Sequence, residues 1–245
     1  MKVIVFGANG RMGKVVTRMV GEGMRDSEIA ALIDANGDGV NVLNNVKDFT
    51  GSADVIIDFS HFSATKTVTD FAVKKNIPLV IASTGQGPEE ISVIQKASES
   101  VPIFISANMS LGVALLAEMA RKVASAFPDA DIEIVETHHN RKTDAPSGTA
   151  LLLANAIKEV RPESVITCNR MGKREKNEIG IASVRMGNIV GIHDVMISTD
   201  NQTITLRHQA FSRDLFAEGA IAAAEFILGK KPGLYNMYDL CGEVK

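Results

Sequence analysis

The stretch that decides the fold is VIVFGANGRMG, which occupies residues 3–13. The apolar run Val3–Phe6 leads directly into glycines in a G-x-x-G-x-x-G spacing, and apolar residues at helical spacing follow from Val15 to Val20. Strand, glycine loop and helix in this order predict a dinucleotide-binding βαβ unit, because glycines let backbone N–H groups approach a pyrophosphate at the helix start. A purely structural glycine turn is the alternative. The expected cofactor-binding residues are Gly7, Ala8, Asn9, Gly10, Arg11 and Met12.

Short apolar runs recur along the chain as far as residue 110. They are Ala30–Ile33, Val55–Ile57, Leu79–Ile81 and Ile103–Ile105. Each run is continuous rather than alternating, which is typical of parallel strands buried on both faces, and amphipathic stretches such as residues 63–75 lie between them. The pattern predicts an α/β fold with a Rossmann-like, doubly wound parallel sheet.

The pattern changes at Leu111. Helical spacing as far as Phe127 is followed by a strand-like run, a second helical stretch from Ala150 to Val160, and β-type runs at 179–184, 193–198 and 203–207. This succession predicts a second α+β domain with an antiparallel or mixed sheet. Helical spacing in 214–228 predicts that the tail returns to the first domain. We therefore expect one domain in residues 1–110 plus 212–245 and another in residues 111–211.

An acidic residue, Asp34, follows the second predicted strand, where its carboxylate can accept hydrogen bonds from the ribose hydroxyls of a dinucleotide. A carboxylate there repels a 2′-phosphate, and residues 35–38 bring no Arg or Lys. We therefore expect NADH to be used at least as well as NADPH, although Arg11 could partner a 2′-phosphate and keeps dual use open. The loops after the fourth and fifth predicted strands are expected to line the nicotinamide half, with ordinary polar loops as the alternative. Their residues are Ala82, Ser83, Thr84, Ser106, Ala107, Asn108 and Met109.

The loop ETHHNRKTDAPSGTA, residues 136–150, joins a predicted strand to a predicted helix. His138 can donate a proton near neutral pH, Lys142 adds a cationic donor, and Ser147–Thr149 open the helix with N–H groups and hydroxyls that suit a dicarboxylate. Either histidine alone could be structural, but the cluster favours catalysis. We expect no metal site, because neighbours on a strand point to opposite faces and no further His or Cys has ligand spacing.

Composition restricts the partners. A formal net charge of -3 and a pI near 6.0 argue against nucleic acid binding. The first apolar run is too short for a membrane span or a signal peptide, and Cys168 and Cys241 lack zinc or redox spacing, which predicts reduced thiols. We expect a cytoplasmic protein that binds a small molecule.

Residues 138–150 resemble the signature H-H-x-x-K-x-D-A-P-S-G-T-A of the dihydrodipicolinate reductases without a break. The resemblance extends over nearly the whole chain, with departures at Ala82-Ser83, where Gly-Thr is common, and in the short stretch between Asp34 and Val55. The further similar stretches are Gly7–Gly13, Asp58–Ser60, Ser83–Gly85, Ala107–Ser110, Glu178–Gly180 and Val190–His193.

The resemblance implies an NAD(P)H-dependent reduction of 4-hydroxy-tetrahydrodipicolinate, a cyclic dicarboxylate, to tetrahydrodipicolinate with loss of water, in diaminopimelate and lysine biosynthesis. By matching positions, His138 would be the acid/base and Lys142 the proton donor. The resemblance also implies a homotetramer in which the second domain, residues 111–211, binds substrate and forms the subunit contact. Arg185 could add a cation or be a solvated strand-end residue. The expected substrate-binding residues are His139, Ser147, Gly148 and Thr149.

Two other functions compete with this interpretation. A related NAD(P)-dependent amino-acid or imino-acid dehydrogenase would share the two-domain plan, since one fold serves many reactions. It would be expected to have a changed loop between His138 and Lys142, and the loop is intact. A nucleotide-sensing regulator would need no poised proton donors.

Overall fold

The computed structural model describes residues 1–243, in which two sheets and the helices around them form the fold. The strands are β1 (Lys2–Phe6), β2 (Glu28–Ile33), β3 (Val55–Asp58), β4 (Leu79–Ile81), β5 (Pro102–Ile105), β6 (Asp131–His138), β7 (Val165–Cys168), β8 (Glu178–Arg185), β9 (Gly191–Thr199), β10 (Gln202–Ala210) and β11 (Gly233–Tyr235). The helices are α1 (Arg11–Gly21), α2 (Thr65–Lys75), α3 (Pro88–Ser98), α4 (Leu111–Ala126), α5 (Gly148–Val160), α6 (Asp214–Ile227) and α7 (Met237–Glu243).

The chain divides into two compact units. Unit 1 combines residues 1–111 with the described residues from 214 onward, and unit 2 comprises residues 112–213. Unit 2 is therefore a single continuous segment inserted between two parts of unit 1.

Unit 1 is built on a six-stranded sheet in the order β11-β5-β4-β3-β1-β2, and every pairing in it is parallel. The chain passes from β1 to β2 on one side and then continues with β3 on the other, so the strand order reverses at β1. Ligands of such sheets bind beyond the carboxyl ends of the strands at this reversal. The glycine loop follows β1 and lies at that position.

Helices cover both faces of this sheet, as the continuous apolar runs predict. Ile4, Ile56 and Ile103 are fully buried on the face that packs against α2 and α3, while α1 and α6 pack on the opposite side. Burying one such side chain contributes about 1.5–3 kcal/mol. The prediction of a doubly wound parallel sheet is confirmed. The helix α3 is one of the crossover helices that this fold requires, although we did not name its residues, and α7 and the edge strand β11 are additions that we did not predict.

Unit 2 is built on a mixed sheet in the order β10-β9-β6-β8-β7. β8 pairs in parallel with β6 and β7, whereas β9 pairs antiparallel with β6 and β10. The helices α4 and α5 share an apolar core with one face of the sheet. On the other face Ala182 and Val184 are exposed and Val135 and Met196 are half-buried. The predicted mixed sheet is confirmed, and one of its faces carries no helix from the described part of unit 2.

No helix among residues 1–243 has the length and the apolar character that crossing a membrane requires.

Candidate active site

The glycine loop of unit 1 has no room for a side chain at Gly7 or at Gly13. Gly7 has a φ of 80°, and a Cβ on it would lie 2.7 Å from the backbone nitrogen of Ser60. A Cβ on Gly13 would lie 2.0 Å from the carbonyl oxygen of Gly7. The chain therefore turns tightly from β1 into α1, whose first-turn N–H groups have no acceptor within the helix. This geometry fits a pyrophosphate, which helix N-termini favour through hydrogen bonds and the dipole.

Asp34 connects the glycine loop to the loop that follows β2. Its carboxylate accepts hydrogen bonds from the backbone N–H of Asn9, at 3.0 Å, and from that of Asn36, at 2.9 Å. The side-chain amide of Asn9 donates to the carbonyl of Asn36 at 2.8 Å. Each carboxylate oxygen has a second lone pair that these contacts do not use. The carboxylate can thus accept hydrogen bonds from a ribose while it holds both loops in place.

A cavity of about 460 Å³ lies beyond the strand ends of unit 1, within the usual size range of cofactor pockets. Several residues predicted from the sequence line it together, namely Arg11, Met12, Ala82, Ser83, Thr84, Ala107 and Met109. Ser106 and Asn108 are not in its wall; the Ser106 hydroxyl instead bonds to the backbone of Asn108. The wall also contains residues that we did not predict, Phe59, Ser60, His61 and Phe216.

A buried carboxylate, Asp58, supports two of the loops that form this wall. It lies at the end of β3 and accepts hydrogen bonds from the Ser60 backbone N–H, at 2.8 Å, and from the Ser83 hydroxyl, at 3.2 Å. Burial raises the pKa of Asp58, and the bonds from Ser60 and Ser83 only partly oppose that effect. Asp58 therefore holds the loops that contain Ser60 and Ser83 in place in the cavity wall.

The chemistry of unit 2 begins with the alternation along β6. Ile132 and Ile134 face the helices, and the same period of two places Glu136 and His138 on that buried face. His139, one residue further, is half-buried, and its backbone N–H bonds to the carbonyl of Ile189 at 2.7 Å. Burial and the nearby charge of Arg141 lower the pKa of His139.

Glu136 is fully buried and accepts hydrogen bonds from several directions. The Arg185 guanidinium binds its two carboxylate oxygens at 2.8 and 2.9 Å, and the Ser147 backbone N–H binds at 3.1 Å. The Nδ1 atom of His138 lies 2.5 Å from Oε2. Burial alone would favour the neutral acid, but hydrogen bonds from Arg185, Ser183 and His138 outweigh it and lower the pKa of Glu136 to about 2. Glu136 is therefore an ionised carboxylate at neutral pH.

His193, on β9, contacts His138 edge to face, with ring centroids 5.2 Å apart. Burial and the neighbouring charge of His138 lower the pKa of His193 to about 4. Its Nε2 lies 3.2 Å from the hydroxyl of Ser147, which also accepts the backbone N–H of Ala150 and caps α5. His193 is thus neutral near pH 7.

The ammonium of Lys142 is held by Asp144, with its Nζ atom 2.7 and 2.8 Å from the two carboxylate oxygens. This bond is the main reason why the pKa of Asp144 is lowered. Gly148 and Thr149 form the first turn of α5, directly after its cap. Unit 2 therefore contains an ammonium group, a buried imidazole and a helix N-terminus within one strand–loop–helix segment.

Glu136 and His193 belong to this cluster although we did not predict them, and we had left the role of Arg185 undecided. Arg185 is no solvated strand-end residue, because its side chain is only 19% exposed and binds Glu136. The signal for Glu136 was present, since the alternation from Ile132 predicts that it is buried beside His138. No cluster of His, Cys, Asp and Glu with metal-binding geometry occurs among the described residues.

A doubly wound unit with a glycine cradle, joined to a unit with a buried cluster of hydrogen-bonded ionisable side chains, is typical of a dinucleotide-dependent oxidoreductase. Family models for dihydrodipicolinate reductase match both parts, the N-terminal model over residues 1–109 and the C-terminal model over residues 112–241. The chain belongs to the dihydrodipicolinate reductase family.

Individual relatives agree with this assignment. The 4-hydroxy-tetrahydrodipicolinate reductase of Caldanaerobacter subterraneus subsp. tengcongensis is 45% identical over 98% of both chains. That of Clostridium tetani is 40% identical over 97% of this chain and 95% of its own. The dipicolinate-bound dihydrodipicolinate reductase of Paenisporosarcina sp. TG-14 shares the fold, with a TM-score of 0.76, 24% identity and coverage of 96% of this chain and 97% of its own.

Proposed function

We propose that this chain reduces 4-hydroxy-tetrahydrodipicolinate to tetrahydrodipicolinate with loss of water, using NADH or NADPH, in diaminopimelate and lysine biosynthesis. The observation that carries the proposal is the joint placement of Lys142, His138 and the α5 N-terminus in unit 2. Membership of the reductase family supports it, and the dipicolinate bound to the Paenisporosarcina relative supports a cyclic dicarboxylate as the ligand.

Each of the candidate site residues of unit 2 has a distinct role in this proposal. The α5 N-terminus, with Ser147, Gly148 and Thr149, and the ring of His139 bind the substrate carboxylates. Lys142 donates the proton from its ammonium. His138 moves a proton through Nε2, because its Nδ1 is engaged by a carboxylate that cannot itself donate.

The cofactor belongs to unit 1 in this proposal. The glycine loop binds the pyrophosphate, Asp34 the adenosine ribose, and the wall formed by residues 82–84, Ala107 and Met109 the nicotinamide end. Bound NAD(P)H would supply the hydride. The Asp34 carboxylate repels a 2′-phosphate, whereas an arginine at this position would bind one. We therefore propose that the enzyme uses NADH at least as well as NADPH.

The helix-free face of the unit 2 sheet is the proposed subunit contact of a homotetramer. Apolar side chains such as Val184, which is 38% exposed, lie on it. An exposed sheet face of this kind is typical of an interaction surface. Static light scattering tests the proposal, and a monomeric mass at micromolar concentration would contradict it.

The test of function follows NADH or NADPH absorbance with substrate formed in situ from pyruvate and aspartate semialdehyde by the preceding synthase. We expect oxidation that depends on the synthase, with kcat/KM for NADH equal to or above that for NADPH. A folded protein that binds NADH but does not oxidise it under these conditions would contradict the proposed reaction. A clear preference for NADPH would contradict only the cofactor ranking.

A further inference from the structure

The ionised carboxylate of Glu136 bonds to three different parts of unit 2. His138 lies on the same strand, Arg185 ends β8, and Ser147 caps α5. A buried charge is stable only when partners replace the lost water, and Arg185 supplies most of that replacement through two parallel hydrogen bonds. The carboxylate is thus fixed in place independently of any ligand.

This arrangement determines which nitrogen of His138 reacts. Because Glu136 is ionised, the close contact at 2.5 Å requires His138 to donate from Nδ1. Its Nε2 has no hydrogen-bond partner within residues 1–243. Gly191 lies beside that atom, and a Cβ on Gly191 would be 3.1 Å from Nε2. The neighbouring strand therefore leaves Nε2 uncrowded.

The same carboxylate also positions the helix start. Its Oε1 accepts the N–H of Ser147, and the hydroxyl of Ser147 in turn accepts the N–H of Ala150. The first turn of α5 is thereby locked relative to the ring of His138. A single side chain sets both the proton-transfer atom and the site proposed for the substrate carboxylate.

We propose that Glu136, held by Arg185, is a positioning residue for proton transfer, which aligns His138 and the α5 N-terminus with each other. This inference rests on the reductase function proposed above. Glu136 touches no substrate in this role. It stabilises the protonated ring of His138 through its charge and orients that ring through its bond to Nδ1, as carboxylates do for catalytic histidines elsewhere.

The test compares Glu136→Gln and Glu136→Asp with Glu133→Gln. Glu133 is the matched control, because it lies on the same strand, faces the other side of the sheet and is also paired with arginine, in its case with both Arg170 and Arg174. Glutamine at position 136 keeps the shape and removes the charge. Aspartate keeps the charge with a shorter reach, so it should restore part of what glutamine loses.

We expect Glu136→Gln to lower kcat about tenfold to a hundredfold. The KM for the dicarboxylate should rise by a smaller factor than kcat falls, and the Kd for NADH should not change. The limb of the pH–rate profile that reports His138 should move to lower pH, because the variant lacks the buried negative charge of Glu136. The other groups that face His138 are Arg185, His139, Lys142 and the neutral His193. Glu133→Gln should leave kcat and this limb as in the parent. Turnover of Glu136→Gln within about twofold of the parent, or an equal loss in Glu133→Gln, would overturn the proposal.

NMR titration of the imidazole of His138 gives a readout that does not depend on turnover. In Glu136→Gln the ring should take up its proton at lower pH than in the parent, and Glu136→Asp should lie between them. An unchanged titration would overturn the positioning role even if the protein is a reductase. Conversely, a shifted titration in a protein without reductase activity would retain the Glu136–His138 coupling and reject the proposed reaction.

Discussion

Two helix starts divide the chemistry of this chain, and they are built in opposite ways. α1 begins after Gly10, which offers no side chain, and its loop works because glycines keep the space empty. α5 begins after Ser147, whose hydroxyl caps the helix, and its surroundings are filled with charged and hydrogen-bonding side chains. Substitutions at the first start should therefore act through shape on cofactor binding, and those at the second through charge on turnover.

The sharpest test of this contrast is Lys142→Ala. Loss of a general acid typically lowers the rate by roughly 10²–10⁴-fold, so kcat should fall by that range while the Kd for NADH stays the same. Steady-state kinetics and titration of NADH fluorescence measure the two quantities. Lys158→Ala, which removes an exposed lysine from α5, is the control and should behave as the parent. Normal turnover in Lys142→Ala would remove Lys142 from the mechanism.

A second prediction concerns pH and the stability of the charged region. The pKa of His193 is lowered from 6.5 to about 4, so between these pH values the unfolded chain binds a proton that the folded chain does not. The free energy of unfolding should therefore fall as pH drops through this window, by about 1.4 kcal/mol per pH unit from this residue. Urea unfolding of the parent and His193→Gln isolates the effect. Equal pH slopes for both proteins would show that His193 titrates normally.

The glycine cradle is tested by Gly13→Ala, with Gly21→Ala as the control in the same helix. A Cβ on Gly13 would overlap the Gly7 carbonyl at 2.0 Å, whereas a Cβ on Gly21 meets nothing within 4 Å. Gly13→Ala should weaken NADH binding about tenfold and lower stability by about 1–3 kcal/mol. Gly21→Ala should bind NADH normally and gain about 0.5–1 kcal/mol. NADH titration and urea unfolding are the measurements, and equal NADH binding by both variants would mean that the tight turn does not matter.

The same contrast explains what the sequence could predict. Buried parallel strands leave continuous apolar runs, so β1 to β5 are visible in the sequence, and the glycine spacing identifies the loop after β1. The edge strand β11 has only the residues Gly233–Tyr235, and its pairing with β5 comes from tertiary contact rather than local preference. For α3, the sequence did contain a signal for a helix start, namely Pro88 at the first helical position followed by Glu90. In the structure the Glu90 side chain accepts a hydrogen bond from the backbone N–H of Gly87, as such a signal predicts.

The candidate site divides along similar lines. His138 and Lys142 stand in one local segment, so their grouping could be predicted from spacing alone. Arg185 and His193 lie close to Glu136 and His138 only because β8 and β9 pair with β6 on either side. No local sequence pattern predicts which strands pair. Phe216 joins the cavity wall of unit 1 from the far end of the chain for the same reason.

The discontinuity of unit 1 has a consequence for the order in which the protein is made. The ribosome synthesises β1 to β5 first, but α6, one of the two helices that cover one face of that sheet, is translated only after all of unit 2. This helix packs very closely against the rest of unit 1. A Cβ on Gly219 of α6 would lie 1.7 Å from the carbonyl oxygen of Met109, so only glycine fits there. Unit 2 can complete its core while it is being translated, whereas the part of the unit 1 sheet that α6 covers stays exposed and prone to aggregation until α6 emerges.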